Sequence, residues 1–162
     1  MISQSPSIDA WGEPPLTSTP NIVLDTNVVL DWLLFADPAV EAIAQEIVAG
    51  RLRWRASASM RDELAHVLAR GLAAARGADA AALLARWDAH AAAPEPEPPP
   101  QPLVCTDPDD QKFIDLALCT RARWLVSRDR AVLKLARRTA PLGLAVVTPQ
   151  HWKGADFFSN GP

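Results

Sequence analysis

The chain has 162 residues, 49% of them hydrophobic and 22% charged, a composition that fits one globular domain with its own core and leaves no room for a second. Sixteen Lys and Arg against nineteen Asp and Glu give a formal net charge of -3, which excludes a uniformly basic nucleic-acid-binding surface. The two cysteines fit no disulfide or zinc pattern, and no stretch reaches the roughly 20 apolar residues of a membrane span, so we expect a cytoplasmic protein that is not embedded in a membrane.

The first part of the chain predicts an arm, a strand and a helix. Residues 1–20 are rich in Ser, Thr and Pro and have no hydrophobic period, which is typical of a flexible N-terminal arm. The apolar run 22–24 predicts a buried strand that ends in the polar turn 25–27. A helix is predicted to follow over 28–35, where apolar residues predominate.

The middle of the chain predicts a helix, a short strand and further helices, followed by a proline-rich segment. Asp37 and Pro38 predict the start of a second helix, which runs to Gly50. Apolar residues alternate with arginines over 52–58, which indicates a short strand, and helical patterns follow it. Residues 94–102 are rich in proline and predict a stiff, extended connector that interrupts the domain without dividing it.

The last part repeats the alternation of helix and strand. A helix is predicted from Pro108, strands at 124–126 and 144–147, and a C-terminal tail at 151–162. Strands that alternate with helices favour an α/β fold with a central parallel sheet covered on both faces. We therefore expect one domain over residues 21–150.

Two acidic residues directly follow predicted strands. Asp25 comes after the first apolar run, and Asp129 comes just past the strand 124–126. The carboxyl ends of parallel strands share one edge of a sheet, where ligand sites form. Taken singly, Asp25 also fits an ordinary turn, and Asp129 an ordinary helix cap.

Helical periodicity places two further acids near the same edge. Relative to the apolar face of residues 113–118, Asp110 lies within about 20° of the centre, whereas Asp115 falls on the opposite, solvated face. Asp107 fits the N-cap of that helix. Glu63 lies about 85° from the apolar centre of its own helix, from where its side chain can reach a cleft.

Four carboxylates therefore converge at one edge of the predicted sheet, namely Asp25, Glu63, Asp110 and Asp129. Two such charges about 5 Å apart repel by roughly 3 kcal/mol at an effective dielectric constant of about 20, so the group needs a cation. Ligands that are all oxygen favour Mg²⁺ or Mn²⁺ over zinc. Such ions hold phosphates and activate water, which indicates hydrolysis of phosphodiester bonds.

Four segments resemble, in the same order, the motifs of the PIN-domain nucleases: Val23-Leu24-Asp25-Thr26-Asn27-Val28, Ser59-x-x-x-Glu63-Leu64-x-x-Val67-Leu68, Asp107-Pro108-Asp109-Asp110-x-x-Phe113-x-x-x-Ala117 and Leu125-Val126-Ser127-x-Asp129. More narrowly, the chain is similar to the PIN-type toxins of bacterial toxin–antitoxin pairs. The resemblance covers about residues 21–148. It implies a three-layer α/β/α, Rossmann-like domain and a Mg²⁺- or Mn²⁺-dependent endoribonuclease.

The resemblance also implies roles for individual residues and for partners. The four acids become the metal-binding, catalytic residues, and Asn27 and Ser127 become polar supports at the same cleft. The substrate is RNA, and the implied partners are a second copy of the chain and a small antitoxin that blocks the site. Apolar residues at 32–35 fit a dimer interface, although burial inside the monomer accounts for them equally well.

A basic stripe begins beside Asp129 and indicates where RNA binds. Its members are Arg128, Arg130, Lys134, Arg137 and Arg138, of which the last four recur at helical spacing. Phosphates are expected to follow this stripe. The alternative is an ordinary solvated helix face that keeps the surface soluble.

Two other functions remain open at the level of the sequence. A phosphatase with Asp25 as nucleophile would need a second Asp two residues later, where the chain has Asn27. The other alternative is a PIN-like module that has the same fold and binds RNA or a protein but does not cleave RNA.

Overall fold

The computed structural model describes residues 18–159 and contains one parallel sheet of four strands, in the order β2-β1-β3-β4. The strands are β1 (Asn21–Leu24), β2 (Arg53–Trp54), β3 (Trp124–Val126) and β4 (Ala145–Val147). In register, Ile22 of β1 lies between Trp54 of β2 and Trp124 of β3. Helices flank the sheet, which confirms the three-layer α/β/α fold that the alternation of elements predicted.

Helices connect the strands, and a last helix follows β4. They are α1 (Thr26–Leu33), α2 (Glu41–Val48), α3 (Ala58–Val67), α4 (Ala73–Ala75), α5 (Ala80–His90), α6 (Gln111–Cys119), α7 (Arg130–Leu133), α8 (Ala136–Thr139) and α9 (Gly154–Ser159). Single 3₁₀ turns at 38–40 and 108–110 precede α2 and α6. Both begin at an Asp-Pro pair, as the sequence predicted, because the Asp side chain caps the turn and proline suits its first position.

The first helix begins two residues earlier than predicted. We expected residues 28–35, whereas α1 spans Thr26–Leu33. The backbone N–H of Val28 donates to Asp25 Oδ1 over 2.9 Å, so Asp25 caps the helix and draws the turn into it. Ala36, with a φ of 49°, lies in the left-handed region just beyond the helix.

The core lies on both faces of β1 and β3, whose apolar residues are almost completely buried. At β2 the predicted alternation is confirmed, since Leu52, Trp54 and Ala56 are buried. Trp54 packs between Trp32 and Trp87, with ring centroids 5.5 and 4.5 Å away. Burial of an aromatic cluster of this size is a main source of stability at this edge of the sheet.

Residues 91–95, from the end of α5 to the start of the proline-rich connector, pack along the open edge of β2. The N–H of Ala92 donates to Trp54 O over 2.9 Å, and that of Glu95 donates to Ala56 O over 3.0 Å. An ion pair between Arg55 and Glu95 joins the same two segments. The connector thus satisfies backbone groups that an edge strand otherwise exposes.

Asp115 is buried, and the expectation that it faces solvent was wrong. Its Oδ1 accepts hydrogen bonds from the N–H of Gln101 over 3.0 Å and from Gln111 Nε2 over 2.9 Å. Gln111 in turn donates to Leu103 O over 2.8 Å. The chain after the connector folds back over this face of α6, a long-range contact that helical periodicity does not reveal.

The C-terminal segment is also more ordered than the predicted tail. Trp152 is buried and its ring packs against Trp124, with centroids 5.6 Å apart. Helix α9 follows and places Phe157 near the same ring. Residues 1–17 of the predicted N-terminal arm, and residues 160–162, lie outside the described part of the chain.

Within residues 18–159, every helix falls short of the length and apolar character that crossing a bilayer demands.

Candidate metal centre

A crevice at the carboxyl edge of the sheet is set by the order of the strands. From β1 the chain leads to β2 on one side, whereas β3 pairs with β1 on the other. This arrangement is a topological switch point, where the connections diverge and leave a crevice between neighbouring strand ends. Asp25 follows β1 directly, and residues 127–129 follow β3. The start of α6 lies at the same edge because this helix leads back to the beginning of β3.

Asp25 forms the floor of the crevice and is only 3% exposed. Its Oδ1 accepts from the N–H of Val28, and its Oδ2 accepts from Ser127 Oγ. Burial raises the pKa of the Asp25 carboxyl, an effect that the hydrogen bonds from Ser127, Val28 and Arg128 oppose and that the charge of Asp129 reinforces. Asp25 therefore caps α1 with one oxygen, and its carboxyl group also feels the charge of Asp129.

Ser127 links the acids that follow the two central strands. Its hydroxyl donates to Asp25 Oδ2 and accepts from the N–H of Asp129 over 3.0 Å. Ser127 is completely buried, so this link is shielded from competing water. Asp129 Oδ1 accepts from the N–H of Ala131 over 2.8 Å and caps α7. Ser127 therefore contacts both Asp25 and the backbone of Asp129, and the supporting role that the resemblance implies for it stays a prediction.

Three carboxylates meet where the 3₁₀ turn before α6 faces the end of β3. Asp107, Asp110 and Asp129 each offer one oxygen, and these oxygens lie within 4.8 Å of one another. Asp107 also caps its turn, since its Oδ1 accepts from the N–H of Asp109 over 3.0 Å. The sequence predicted only this capping role for Asp107, because a cap signal is local whereas its neighbour Asp129 comes from the far end of β3.

Asp110 carries the largest electrostatic penalty in this cluster. Burial, followed by the charges of Asp129 and Asp107, raises its pKa to about 7. Its Oδ2 is shielded from solvent and has no hydrogen-bond partner in the described part of the chain. A shielded carboxylate oxygen without a donor is unfavourable by itself, and a bound cation removes that penalty.

The donor set fits a hard divalent cation. All the ligand atoms are carboxylate oxygens, which suit Mg²⁺ or Mn²⁺ better than zinc. Asp25 interacts electrostatically with both Asp110 and Asp129, so its charge adds to the attraction of a cation to this crevice. Of the four predicted acids, Asp110 and Asp129 belong to the three-carboxylate cluster, and Asp25 interacts electrostatically with both.

Glu63 occupies a different place from the other predicted acids. Its Oε2 accepts a hydrogen bond from Thr26 Oγ1 over 2.6 Å and lies 3.0 Å from Lys112 Nζ. The three-carboxylate cluster is formed without it. Glu63 therefore lies beside the residue that follows Asp25 and pairs with a cationic side chain, and its predicted metal role stays a prediction.

Arg128 is held inside the domain by two ion pairs, which differs from its predicted contact with RNA. Its Nε lies 2.7 Å from Asp31 Oδ2, and its Nη2 lies 3.0 Å from Asp37 Oδ2. These contacts tie the loop after β3 to the end of α1 and to the cap before α2. Its backbone N–H contributes a hydrogen bond to Asp25. The side chain therefore positions the loop that carries Ser127 and Asp129.

The other predicted site residues lie on the surface. Asn27 is exposed in the first turn of α1, and Arg130, Lys134, Arg137 and Arg138 are all exposed. The basic stripe spans two short helices, α7 and α8, rather than one. They are joined by a turn at residues 134–135 whose backbone stays in the right-handed helical region, and in this turn the N–H of Leu135 donates to Val132 O over 3.0 Å.

Comparison with known proteins identifies the family. The profile of the PIN domain matches residues 21–131, which is more than half of the chain. The protein belongs to the PIN domain family. No curated protein and no solved structure matches the chain. A PIN domain is typically a nuclease fold and generally depends on a divalent metal, and the acidic cluster lies within the matched segment.

Sequence patterns assigned no role at the site to three residues that contact the acids in the structure, namely Thr26, Asp107 and Lys112. Each had a local signal, since Thr26 follows Asp25, and Asp107 and Lys112 lie within three residues of Asp110. What identifies them is the partner that the fold brings to each one, and those partners are distant in the sequence.

Proposed function

We propose that this PIN domain is a Mg²⁺- or Mn²⁺-dependent endoribonuclease. The observation that supports the proposal is the cluster of Asp107, Asp110 and Asp129 at the switch point, with a shielded oxygen of Asp110 left without a donor. A site of this kind attracts a hard cation, and phosphodiesters are the substrates that such cations bind and polarise.

The residues of the chain have separate tasks in this mechanism. Asp107, Asp110 and Asp129 would hold the cation, with Asp25 beneath them, and a bound ion would supply Lewis-acid chemistry for the activation of water and the stabilisation of the departing 3′ oxygen. Ser127 holds Asp25 and Asp129 in a fixed relation through its two hydrogen bonds. Arg128 fixes the loop that carries them. Such preorganisation keeps the carboxylates at the site before the substrate arrives.

Cleavage of RNA in the presence and absence of metal tests this proposal. We expect the purified chain to shorten single-stranded RNA with Mg²⁺ or Mn²⁺ and to stop when a chelator is added, with product ends identified by mass spectrometry. Equal cleavage with and without chelator would contradict the metal-dependent mechanism. RNA that is bound but never shortened, with Mn²⁺ supplied, would favour a binding module instead.

The basic stripe of Arg130, Lys134, Arg137 and Arg138 supplies a second prediction. If it follows the RNA backbone, replacing Lys134 and Arg137 together by Ala weakens RNA binding and lowers its salt dependence by up to about two phosphate contacts. Metal-induced stabilisation stays unchanged, because neither residue belongs to the acidic cluster. Fluorescence anisotropy over a salt series measures the effect, and an unaltered salt slope would return these residues to the role of a solvated face.

The toxin role and its partners follow from the resemblance to PIN-type toxins and extend the proposal. We propose a small antitoxin that covers the acidic crevice, a homodimer and a cytoplasmic location, to which two unpaired cysteines are suited. The apolar residues at 32–35 give the dimer little support, since Leu33 is buried and Trp32 and Phe35 pack against Trp54 and Arg76. Sedimentation at micromolar concentration measures the oligomeric state directly.

A further inference from the structure

An acidic crevice that cleaves RNA needs cations to hold the phosphates. In residues 18–159, three basic residues lie within two residues along the chain of Asp107, Asp110 or Asp129, namely Lys112, Arg128 and Arg130. Arg128 is engaged by Asp31 and Asp37. Arg130 is exposed at the first position of α7. Among the three side chains, that of Lys112 alone contacts a carboxylate that the sequence assigned to the site, namely Glu63.

The ammonium group of Lys112 is held in place by its surroundings. Its Nζ lies 3.0 Å from Glu63 Oε2 and 5.3 Å from the centroid of the Phe113 ring. Glu63 Oε2 also accepts a hydrogen bond from Thr26 Oγ1 over 2.6 Å. Because Thr26 belongs to the first turn of α1, directly after Asp25, these contacts connect α6, α3 and the floor of the crevice.

The same group keeps its capacity to bind an anion. An ammonium has three donors, and Glu63 is the one hydrogen-bonding or ion-pairing partner that Nζ has in the described part of the chain. The Lys112 side chain is 26% exposed, so solvent and ligands reach it. A charge that is oriented in advance and still accessible is suited to hold a phosphate beside a metal site.

We propose that Lys112 Nζ binds a non-bridging phosphate oxygen of the RNA at the acidic crevice, and that Glu63, steadied by Thr26, positions Lys112 for that contact. This inference rests on the proposed ribonuclease function and adds a substrate-binding residue to it. Glu63 is then a positioning residue that acts through Lys112, which explains why it stands apart from the three-carboxylate cluster.

The salt dependence of RNA binding tests the contact. A short fluorescent single-stranded RNA is titrated with the full chain in an Asp110→Asn background, so that binding is measured without cleavage. Lys112→Met, which keeps the aliphatic stem and removes the charge, weakens binding several-fold and lowers the slope of log Kd against log salt by about 0.7, the value for one single-strand phosphate contact. Lys112→Arg retains most of the slope.

A matched control and a fold check accompany this comparison. Lys153 is exposed and follows Trp152, whose ring packs at the first residue of β3, away from the crevice. Lys153→Met therefore leaves both the affinity and the slope of the Asp110→Asn parent unchanged. Equal melting temperatures for the Lys112 and Lys153 variants separate loss of a contact from loss of fold.

A double-mutant cycle tests the positioning role of Glu63. Glu63→Gln weakens RNA binding by itself but adds nothing in the Lys112→Met chain, because its effect passes through the lysine. Asp62→Asn is the neighbouring control, since Asp62 is exposed on the other side of α3. Additive losses from Glu63→Gln and Lys112→Met would overturn the positioning role.

The outcomes separate this inference from the proposed function. An unchanged salt slope in Lys112→Met, with RNA still bound by the parent, overturns the lysine contact and leaves the ribonuclease proposal in place. Tight, Lys112-dependent binding by a wild-type chain that never shortens RNA overturns the ribonuclease proposal and leaves the contact in place.

Discussion

Asp110→Asn is expected to lower RNA cleavage on the order of a thousandfold, similar to the loss when an essential charge-stabilising group is removed from an active site. The substitution keeps the shape of the side chain but removes the charge that the cluster offers to a cation. Asp109→Asn is the matched control, because Asp109 is adjacent and exposed and its carboxylate lies outside the cluster. Initial rates with Mn²⁺ measure both, and near wild-type cleavage by Asp110→Asn would show that the site has been placed wrongly.

The same substitution is expected to stabilise the metal-free protein, so that stability and activity change in opposite directions. Asparagine at position 110 ends the repulsion from Asp107 and Asp129 and can donate a hydrogen bond to either carboxylate. At pH 8 we expect a rise in Tm of roughly 3–6 °C, since about 1 kcal/mol is worth roughly 2–4 °C in a domain of this size and solvent screens part of the repulsion. At pH 5 the gain should vanish, because Asp110 in the wild type is then protonated.

Divalent metal is expected to reverse the pH dependence of stability. The pKa of Asp110 is raised from 3.8 to about 7, so the folded chain binds more protons than the unfolded chain between these values. This group therefore makes the free energy of unfolding fall as pH rises across that window. A cation that binds only the deprotonated native cluster gives a stabilisation that grows with pH, about 2.7 kcal/mol at a hundred times its Kd.

Thermal melts over a pH series with Mn²⁺, with chelator and with NaCl of matched ionic strength measure this effect. The curves with metal and with chelator should coincide near pH 5 and separate by roughly 5–10 °C at pH 8. In the Asp110→Asn chain the separation should largely disappear. Identical melts with Mn²⁺ and with chelator at pH 8 would argue against a metal site in this crevice.

Patterns within a few residues were sufficient to predict most of the fold. Runs such as 22–24 and 124–126 read as strands because both faces of a central parallel strand are buried, which requires uninterrupted apolar residues. The Asp-Pro pairs at 37–38 and 107–108 marked helix starts because capping and the fixed φ of proline act on adjacent residues. Asp25 and Asp129 were predicted to lie together because the fold class places all carboxyl ends at one edge.

Patterns of this kind do not reveal contacts between residues that are distant in the sequence. Helical angles placed Asp115 in solvent, but a chain segment that precedes it by 14 residues covers it. Adjacency to Asp129 suggested that Arg128 binds RNA, but Asp31, 97 residues away in sequence, holds its guanidinium. The helical angle and the motif assigned Glu63 to the metal site, a role that stays a prediction, and neither signal revealed its contacts with Lys112 and Thr26.

By itself the sequence determined the succession of strands and helices along the chain, the parallel α/β architecture and the edge of the sheet at which the acids were expected. These follow from the period of apolar residues and from caps, which are properties of neighbouring residues. Only the tertiary structure decided which carboxylates form the acidic cluster, which act as caps or form ion pairs, and which basic side chains remain accessible. Charge interactions fall off over a few ångströms in space and are insensitive to distance along the chain, so those assignments depend on packing that no local pattern encodes.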